Sequence, residues 1–424
     1  MITAKAWSGK HYAVYGLARS GQATVRALVA SGARVTAWDE KAEARAQVEG
    51  AELLDLATAD LSQFDILVVS PGVPLNTHPL AKRARDAGLE IIGDIELFAC
   101  ARPELPPHKV VGITGTNGKS TTTALVHHIL QTAGVPTTMG GNIGLPILAQ
   151  DPLPEGGVYV LELSSYQIDL TQSLDCEVAV LLNITPDHLD RYGSFEAYAA
   201  SKARLFEMQS PHRLAVVDYR AEAEEDVLAE AEDPIIQFID DVALSEEVWP
   251  ALSGHHNLQN ARAAWAACEQ LGLSESTIAE ALRSYPGLPH RMERVREVGG
   301  VLFVNDSKAT NAEAAAPALA AYPHIRWIVG GQAKTMELGD TAGHLDHLVH
   351  AYTIGEAGPM FARLLRERGV PVTESETLEN AVKGAAADSQ AGEVVLLSPA
   401  CASFDQFRDF EARGDAFKAL VGAL

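Results

Sequence analysis

A glycine-rich turn constrains this chain more than any other feature. It reads TGTNGKS over residues 114–120, follows the apolar run 110–113 and precedes a helix-like segment. A strand, a glycine turn and Gly-Lys-Ser at a helix start form the context of a phosphate-binding loop, because amides at a helix start point at negative charge. We expect Lys119 to reach the terminal phosphates and the Ser120 hydroxyl to bind Mg²⁺. A plain turn would not need Lys-Ser after its last glycine, although Ile113 stands where the standard loop has its first glycine.

Apolar strand-like runs alternate with longer helical patterns along most of the chain. This alternation is typical of an α/β fold with mostly parallel sheets. Two proline-rich breaks, at 101–108 and 285–291, divide the 424 residues, because proline fixes φ and disfavours helix in the residue before it. We therefore predict three domains, over 1–105, 106–288 and 289–424. The first and last are expected to be Rossmann-like, and the central one to be a phosphate-loop ATPase domain.

Composition and charge exclude several classes of protein. The 33 basic and 56 acidic residues give a net charge of −23, which argues against a general nucleic-acid-binding protein and against binding to anionic membranes. No apolar run approaches the roughly 18 residues of a transmembrane helix, and residues 1–10 lack the apolar core of a signal peptide. The four cysteines are widely spaced, without metal-ligand pairs. We therefore expect a reduced, cytoplasmic protein.

The first block begins like a dinucleotide-binding fold. A strand leads into a glycine turn over 16–21, and the next strand ends at Asp39, about 20 positions later. Ala18 stands where the middle glycine belongs, and its methyl group hinders a pyrophosphate in the usual dehydrogenase pose. A third strand ends at 70–72. Since ligands bind at the carboxyl ends of such strands, we expect this rim to hold another diphosphate; tight turns without a ligand are the alternative.

Polar residues also follow the strands of the middle block. Glu162 is the only acid in an apolar run, which is costly unless it is paired or metal-bound. His188 follows the next strand beside Asp187 and other charged residues, which suits Mg²⁺-phosphate chemistry, although a lone histidine is more often a packing residue. Asn257 and Asn260 share a helix face and match the edge of a purine, with N-capping by Asn257 as the alternative.

The last block has small and polar residues after three strands, near 305–311, 330–335 and 398–407. Strand ends of one parallel sheet meet at one edge, so these segments predict the rim of a binding cleft. The lysines among them suggest an anionic substrate.

Taken in order, these motifs resemble the Mur ligase family over essentially the whole chain. The motifs are GTNGKS at 115–120, GNIG at 141–144, ELSS at 162–165, DHLDR at 187–191, HNLQN at 256–260, HR at 290–291, NDSKATN at 305–311 and SPACAS at 398–403. The last two, with GDIELF at 93–98, resemble the members that add D-glutamate. The resemblance implies a UDP-binding first domain, a central ATPase and a last domain that binds an amino acid.

The implied activity is an ATP-dependent amide ligase of peptidoglycan precursor synthesis. It would phosphorylate the carboxylate of UDP-N-acetylmuramoyl-L-alanine, and the amine of D-glutamate would then attack the acyl phosphate. Two anions must approach each other, so Lys119, Arg291 and Mg²⁺, with two ions expected, would neutralise charge. The resemblance also implies a cytoplasmic monomer that binds neither nucleic acid nor membrane.

The resemblance implies individual roles as well. ATP would contact Gly115, Thr116, Asn117, Gly118, Lys119, Ser120, Thr121, Asn257, Asn260, Arg291 and Asp306. The UDP substrate would contact Arg19, Ser20, Asp39, Ser70, Pro71, Gly72, Asn142 and His188. D-Glutamate would contact Lys308, Thr310, Lys334, Ser403 and Phe410. Mg²⁺ would bind Ser120, Glu162, His188 and a carbamylated Lys202, and the catalytic residues would be Lys119, His188 and Lys202.

Three other functions remain open from the residues. Another Mur-type or folylpolyglutamate-type ligase would share the phosphate loop but differ at 398–407 and in the first block. A dehydrogenase would use the turn over 16–21, against which Ala18 argues. A non-catalytic nucleotide switch would bind ATP without turnover and would have little need for both Glu162 and His188.

Overall fold

The chain forms three β-sheets with helices around them. The structure is a computed structural model that describes residues 1–218, 228, 231–244, 249, 251–252, 255–333 and 335–424. These residues fall into two compact units, one spanning 1–247 with 255–284 and the other spanning 248–254 with 285–424. Two of the sheets belong to the first unit and one belongs to the second. No helix within the described ranges is long and apolar enough to cross a membrane.

The first sheet is wholly parallel. Its strands are β1 (His11–Tyr15), β2 (Arg34–Trp38), β3 (Glu52–Leu53), β4 (Ile66–Val69) and β5 (Glu90–Ile92), and its helices are α1 (Arg19–Ala30), α2 (Ala42–Arg45), α3 (Pro79–Asp86) and α4 (Asp94–Ala101). The strand order is β3-β2-β1-β4-β5, so the winding reverses between β1 and β4. At that point Ser70 Oγ donates to the Gly16 carbonyl oxygen at 2.7 Å. Gly21 is required nearby, because a Cβ there would overlap the same oxygen.

The second sheet places the phosphate-loop strand at its centre. Its strands are β6 (His108–Thr114), β7 (Thr137–Gly141), β8 (Gly157–Glu162), β9 (Val178–Leu181), β10 (Leu214–Val217) and β11 (Ile235–Phe238). Its helices are α5 (Lys119–Thr132), α6 (Ser165–Asp169), α7 (Leu189–Tyr192), α8 (Phe195–Glu207), α9 (His255–Gln270) and α10 (Glu275–Ser284). All strands are parallel, in the order β11-β10-β9-β6-β8-β7. The ends of β8 and β9 therefore flank the loop that follows β6.

The third sheet is parallel except for its first hairpin. Its strands are β12 (Glu293–Val298), β13 (Val301–Asn305), β14 (Ile325–Gly330), β15 (Leu348–Ile354), β16 (Val372–Glu376) and β17 (Val394–Leu397), and its helices are α11 (Ala312–Ala320), α12 (Gly358–Glu367), α13 (Leu378–Asp388) and α14 (Phe410–Gly422). The order is β12-β13-β17-β14-β15-β16. Gly299 and Gly300 join β12 to β13 with φ of +60° and +82°, the left-handed values that a two-residue hairpin turn favours.

The expected α/β fold with mostly parallel sheets is confirmed. Near-continuous apolar strands such as β9, which is buried along its whole length, suit parallel sheets that are covered on both faces. The two predicted domain boundaries, after residues 105 and 288, stay predictions.

Helix α4 joins the first two sheets and gives the GDIELF motif a structural role. The Glu96 carboxylate accepts hydrogen bonds from the amides of Gln172 and Ser173 at 2.6 and 2.9 Å. Phe98 packs its ring 5.0 Å from that of Tyr159 in β8. Charge-assisted hydrogen bonds and buried aromatic contact are among the stronger interactions within proteins, so this helix fixes one sheet against the other.

Asp94, the first residue of α4, is buried without ordinary hydrogen bonds. Neither carboxyl oxygen has a partner among the described residues, and hydroxyl-bearing Ser20, Thr24 and Ser70 line the small cavity beside it. Burial raises the pKa of Asp94 to about 6, and nearby backbone amides offset only part of that rise. Folding therefore disfavours the ionised form of this carboxyl relative to the unfolded chain.

We expect Asp94→Asn to stabilise the protein more at pH 8 than at pH 5. A carboxyl whose pKa is raised by folding costs stability as pH rises from its unfolded value, 3.8, through about 6, and the full cost is on the order of 2–3 kcal/mol. Urea unfolding of both proteins at the two pH values measures the difference. Asp86→Asn on exposed α3 is the control, and a loss of stability at pH 8 with Asp94→Asn contradicts the expectation.

Candidate functional site

The phosphate loop joins the carboxyl end of β6 to α5. Gly115 and Gly118 have φ of +146° and +85°, values that disfavour residues with a side chain. A Cβ at Gly118 would also overlap Oδ1 of Asn260. The first amides of the 14-residue helix α5 face the loop, as anion binding at a helix start requires.

Asn183, just beyond β9, holds the loop in shape. Its backbone carbonyl accepts from the Thr116 amide at 2.9 Å. Its side chain accepts from the Asn117 amide at 2.9 Å and donates to the Asn117 carbonyl at 3.1 Å. Thr116 Oγ1 accepts from the Thr185 amide at 3.0 Å. The residues that follow β9 therefore hold the loop in its conformation through hydrogen bonds.

Two lysines converge on one carbonyl oxygen of the loop. Lys119 Nζ donates to the Gly115 and Thr116 carbonyls at 2.8 and 2.7 Å. Lys202 Nζ, on α8, donates to the same Gly115 carbonyl at 3.0 Å and lies 4.7 Å from the centre of the Tyr198 ring. Lys202 is 1% exposed. Burial, with the charge of Lys119 nearby, lowers the pKa of Lys202 to about 7, so much of this amine is neutral at neutral pH.

Glu162 offers an oxygen suited to a cation. It ends β8 beside Ile113 in the strand register and is 2% exposed. Its Oε1 accepts from Asn142 Nδ2 at 2.8 Å, whereas Oε2 is buried without a partner among the described residues. Ser120 is buried in the first turn of α5. A buried carboxylate oxygen and a loop hydroxyl fit Mg²⁺, which prefers oxygen ligands and retains waters or phosphates in the rest of its coordination shell.

The predicted set of metal ligands, Ser120, Glu162, His188 and Lys202, stays a prediction. Within the described ranges, no group of three or more His, Cys, Asp or Glu side chains could hold a metal ion. His188 is half exposed, has φ +52°, and places Nε2 3.5 Å from Asp187 Oδ2. Its ring centre lies 6.1 Å from that of Tyr198, the ring that also contacts Lys202. Tyr198 therefore lies next to both residues.

Asn257 and Asn260 lie on one face of α9, as their spacing predicts. Asn260 is buried, donates to Asn257 Oδ1 at 3.2 Å and accepts from Thr122 Oγ1 of α5 at 3.2 Å. Its side chain therefore ties α9 to the phosphate-loop helix.

The predicted UDP contacts of the first sheet lie at its winding reversal. Arg19 begins α1 and donates to the Gly144 carbonyl at 2.9 Å, which links this turn to the loop that carries Asn142. Asp39 accepts from the amides of Leu17 and Lys41 at 2.6 and 2.8 Å. Both side chains thus hold neighbouring backbone in place.

The second unit brings polar groups together at the ends of β13 and β17. Asp306 is buried, and it accepts from Ser398 Oγ at 2.7 Å and from the Met292 amide at 3.2 Å. Burial raises the pKa of Asp306 to about 7, while these hydrogen bonds and nearby Arg291 lower it in part. Arg291 Nε is buried without a hydrogen-bond partner among the described residues.

Two of the predicted amino-acid contacts, Lys308 and Phe410, lie close together at the start of α14. Lys308 Nζ lies 5.4 Å from the centre of the Phe410 ring. Ser403 is buried, and Thr310 is half-buried. Lys334 lies outside the described residues, so its role stays a prediction.

Two residues hold these sites in shape and were not predicted from the sequence. Asn183 stands at the end of an apolar strand, a position that could have signalled its role. Arg413 is buried in α14 and donates to the carbonyls of Ser307 and Cys401 at 2.9 and 3.0 Å. Nothing in the local pattern of an arginine inside a helix distinguishes it from a surface residue.

Comparisons with known proteins cover the whole chain. Residues 10–93 match the family profile described as Mur ligase MurD-like, N-terminal domain, residues 113–249 match the Mur ligase middle domain, and residues 290–401 match the Mur ligase, glutamate ligase domain. The UDP-N-acetylmuramoylalanine–D-glutamate ligase of Novosphingobium aromaticivorans is 59% identical over 100% of this chain and 97% of its own length. The ligase of the same name from Zymomonas mobilis is 55% identical over 100% of both chains.

Solved structures show the same fold at low identity. The UDP-N-acetylmuramate-alanine ligase MurC of Thermotoga maritima aligns with a TM-score of 0.61 and 18% identity over 98% of this chain and 99% of its own. FolC of E. coli aligns with a TM-score of 0.58 and 20% identity over 78% of this chain and 93% of its own.

We expect Asn183→Ala to weaken binding of a fluorescent ATP analogue by up to about thirtyfold. The substitution removes two side-chain hydrogen bonds that shape the loop, and each contributes about 1 kcal/mol. Fluorescence titration measures the dissociation constant. Asn76→Ala, which removes an exposed asparagine in the same unit, should leave it within about twofold. Equal affinity in both variants would show that the loop keeps its shape without Asn183.

Proposed function

This chain belongs to the Mur ligase family, and on that premise we propose that it joins D-glutamate to UDP-N-acetylmuramoyl-L-alanine at the expense of ATP. The observation that carries the proposal is 59% identity to a UDP-N-acetylmuramoylalanine–D-glutamate ligase across the entire chain. The three family profiles follow the same order as the sequence motifs, so the resemblance to the family is confirmed.

The proposed reaction proceeds in two steps. A carboxylate oxygen of the UDP substrate attacks the γ-phosphorus of ATP, the bond from that phosphorus to the β,γ-bridging oxygen breaks, and ADP leaves. The D-glutamate amine then attacks the acyl carbon of the acyl phosphate. The C–O bond breaks, inorganic phosphate leaves and the amine loses a proton, giving the amide.

The phosphate loop is the proposed ATP site. Its geometry supports this, because the amides at the start of α5 and the Lys119 ammonium lie at one strand end. Bound ATP would draw Lys119 from the Gly115 and Thr116 carbonyls onto phosphate oxygens. Asn257, Asn260, Arg291 and Asp306 are proposed as further contacts of ATP.

Ser120 and Glu162 are proposed to hold Mg²⁺, and the orphan Oε2 of Glu162 supports this. When bound, the ion would neutralise charge on the phosphates. A second ion, held by Glu162, His188 and Lys202, is also proposed. Asn142 then acts through Glu162, because its amide group holds Oε1 and leaves Oε2 free.

Lys202 is proposed to be carbamylated. Its neutral amine can attack CO₂, forming an N–C bond and releasing a proton, and the product is an anion that can bind metal. A pKa near 7 supports the proposal, because the neutral fraction grows as pH rises through that value. Without the modification, a buried amine beside Lys119 has no carboxylate within ion-pair distance among the described residues.

The remaining substrates are assigned by the same premise. We propose the UDP group at the rim formed by Arg19, Ser20, Asp39 and residues 70–72, with Asn142 and His188 near the muramoyl end. D-Glutamate is proposed to contact Lys308, Thr310, Lys334, Ser403 and Phe410. We also propose that the enzyme is a cytoplasmic monomer, independent of nucleic acid and membrane.

Phosphate release tests the proposal directly. The protein is given ATP, Mg²⁺ and UDP-N-acetylmuramoyl-L-alanine, and then D-glutamate, L-glutamate, L-lysine, diaminopimelate or L-alanine in turn. We expect release with D-glutamate alone, and none from Lys119→Ala, which cannot neutralise the transferred phosphate. Release with a different amino acid would overturn the specificity, and release with none would overturn the ligase function.

We expect Lys202→Ala to lose more than about 99% of the activity and to regain part of it with added acetate. A small carboxylate can occupy the place of the missing carbamate, so recovery separates a modified lysine from a structural one. The same phosphate-release assay measures both effects. Lys109→Ala, an exposed lysine on β6, is the control. Near-normal activity of Lys202→Ala without acetate would remove the carbamate proposal.

A further inference from the structure

Arg413 is an arginine whose side chain is buried within the second unit. It lies within α14 and is 1% exposed. Its Nε donates to Ser307 Oγ at 3.0 Å, and Nη2 donates to the carbonyls of Ser307 and Cys401 at 2.9 and 3.0 Å. Its Nη1 donates to the Ala402 carbonyl at 3.3 Å. Every acceptor is a neutral oxygen.

No carboxylate of the described residues forms an ion pair with this guanidinium. Among the described residues, none lies within ion-pair distance of Arg413; the acids Glu293 and Asp409 pair with Lys418 and Arg408 instead. Burial lowers the pKa of Arg413 to about 10, and the more distant Asp405 offsets only part of that. The group therefore stays charged at neutral pH, in a place where an unpaired charge is costly.

The acceptors of Arg413 lie next to the proposed amino-acid contacts. Ser307 immediately precedes Lys308, and Ala402 immediately precedes Ser403. Phe410 lies one helical turn before Arg413, and its carbonyl accepts from Ser307 Oγ at 2.9 Å. One guanidinium thus holds the backbone beside three of the five residues proposed to contact D-glutamate.

The end of a third strand joins the same arrangement. The Ala402 carbonyl also accepts from the Gln332 amide at 2.9 Å, and the Ala402 amide donates to the Gln332 carbonyl at 3.0 Å. Gly331 is required here, because a Cβ would overlap the Ala402 carbonyl and lie 3.2 Å from Arg413 Nη1. Hydrogen bonds therefore connect the segments after β13, β14 and β17 to the backbone that Arg413 contacts.

We propose that Arg413 is a positioning residue for the amino-acid substrate, which holds these strand-end loops in register and places a buried positive charge behind the residues proposed to contact the substrate's carboxylates. The inference rests on the proposed function. A purely structural link could be made at lower cost by neutral groups, since a buried charge without a partner destabilises a fold. A dianionic amino acid supplies the missing negative charge, so the arrangement favours its binding.

The test compares Arg413→Lys and Arg413→Gln with the wild-type enzyme in steady-state phosphate release. Arg413→Lys keeps the charge but loses the fork of donors, and we expect it to raise the KM for D-glutamate about fivefold. Arg413→Gln loses both and should raise that KM at least about thirtyfold. The KM values for ATP and for the UDP substrate should change less than about twofold in both variants.

A matched control distinguishes the loss of Arg413 from the loss of a positive charge elsewhere on the protein. Arg408→Gln removes an arginine five residues earlier whose side chain is 85% exposed and pairs with Asp409, and it should leave all three KM values within about twofold. Thermal unfolding checks that each variant is folded. Should Arg413→Gln fail to fold, Ser307→Ala removes one guanidinium bond together with the bond to the Phe410 carbonyl, and it is expected to raise the KM for D-glutamate about threefold.

Each outcome decides the inference. A rise confined to the D-glutamate KM, larger for glutamine than for lysine, supports it. Equal changes in all three KM values, or an unchanged D-glutamate KM, overturn it and leave Arg413 a structural residue. Wild-type enzyme that releases no phosphate with D-glutamate would instead overturn the proposed function, so the two failures are distinguishable.

Discussion

A single backbone oxygen, the carbonyl of Gly115, receives hydrogen bonds from two lysine side chains. Lys119 and Lys202 are therefore held close together at the carboxyl end of one strand. The burial of Lys202, with the charge of Lys119 nearby, lowers the pKa of Lys202 to about 7. The chain has a net charge of −23, yet this loop holds two lysines at the carboxyl end of a parallel strand. The loop is therefore a favourable place for an anion to bind.

Several buried groups elsewhere lack the partners that stability alone would favour. Asp94 and Glu162 have buried carboxyl oxygens without hydrogen bonds among the described residues, and Arg413 has only neutral acceptors. Such groups are costly in a folded protein. All three lie beside residues proposed to bind a substrate.

The sequence predicted much of this arrangement because its signals are local. The phosphate loop, the α/β alternation and the polar residues after β8, β9 and β13 can each be identified within about ten residues. Contacts between distant parts of the chain could not be predicted in this way. Asn260 was interpreted by its spacing from Asn257, yet it packs against Gly118, and only the fold brings the two together. Arg413 was missed for the same reason, since its partners lie at residues 307, 401 and 402.

Helix α4 has a consequence for the substrates that the first unit can accept. Glu96 and Phe98 fasten the first sheet to the second, and Arg19 bridges the turn after β1 to the loop that carries Asn142. The distance from the proposed diphosphate rim to Glu162 is therefore set by the protein and not by the ligand. A molecule anchored at both ends must have a matching span between its nucleotide and its reactive carboxylate. On the proposed assignment of these two sites, contacts within the protein make the length of the substrate a criterion for its binding.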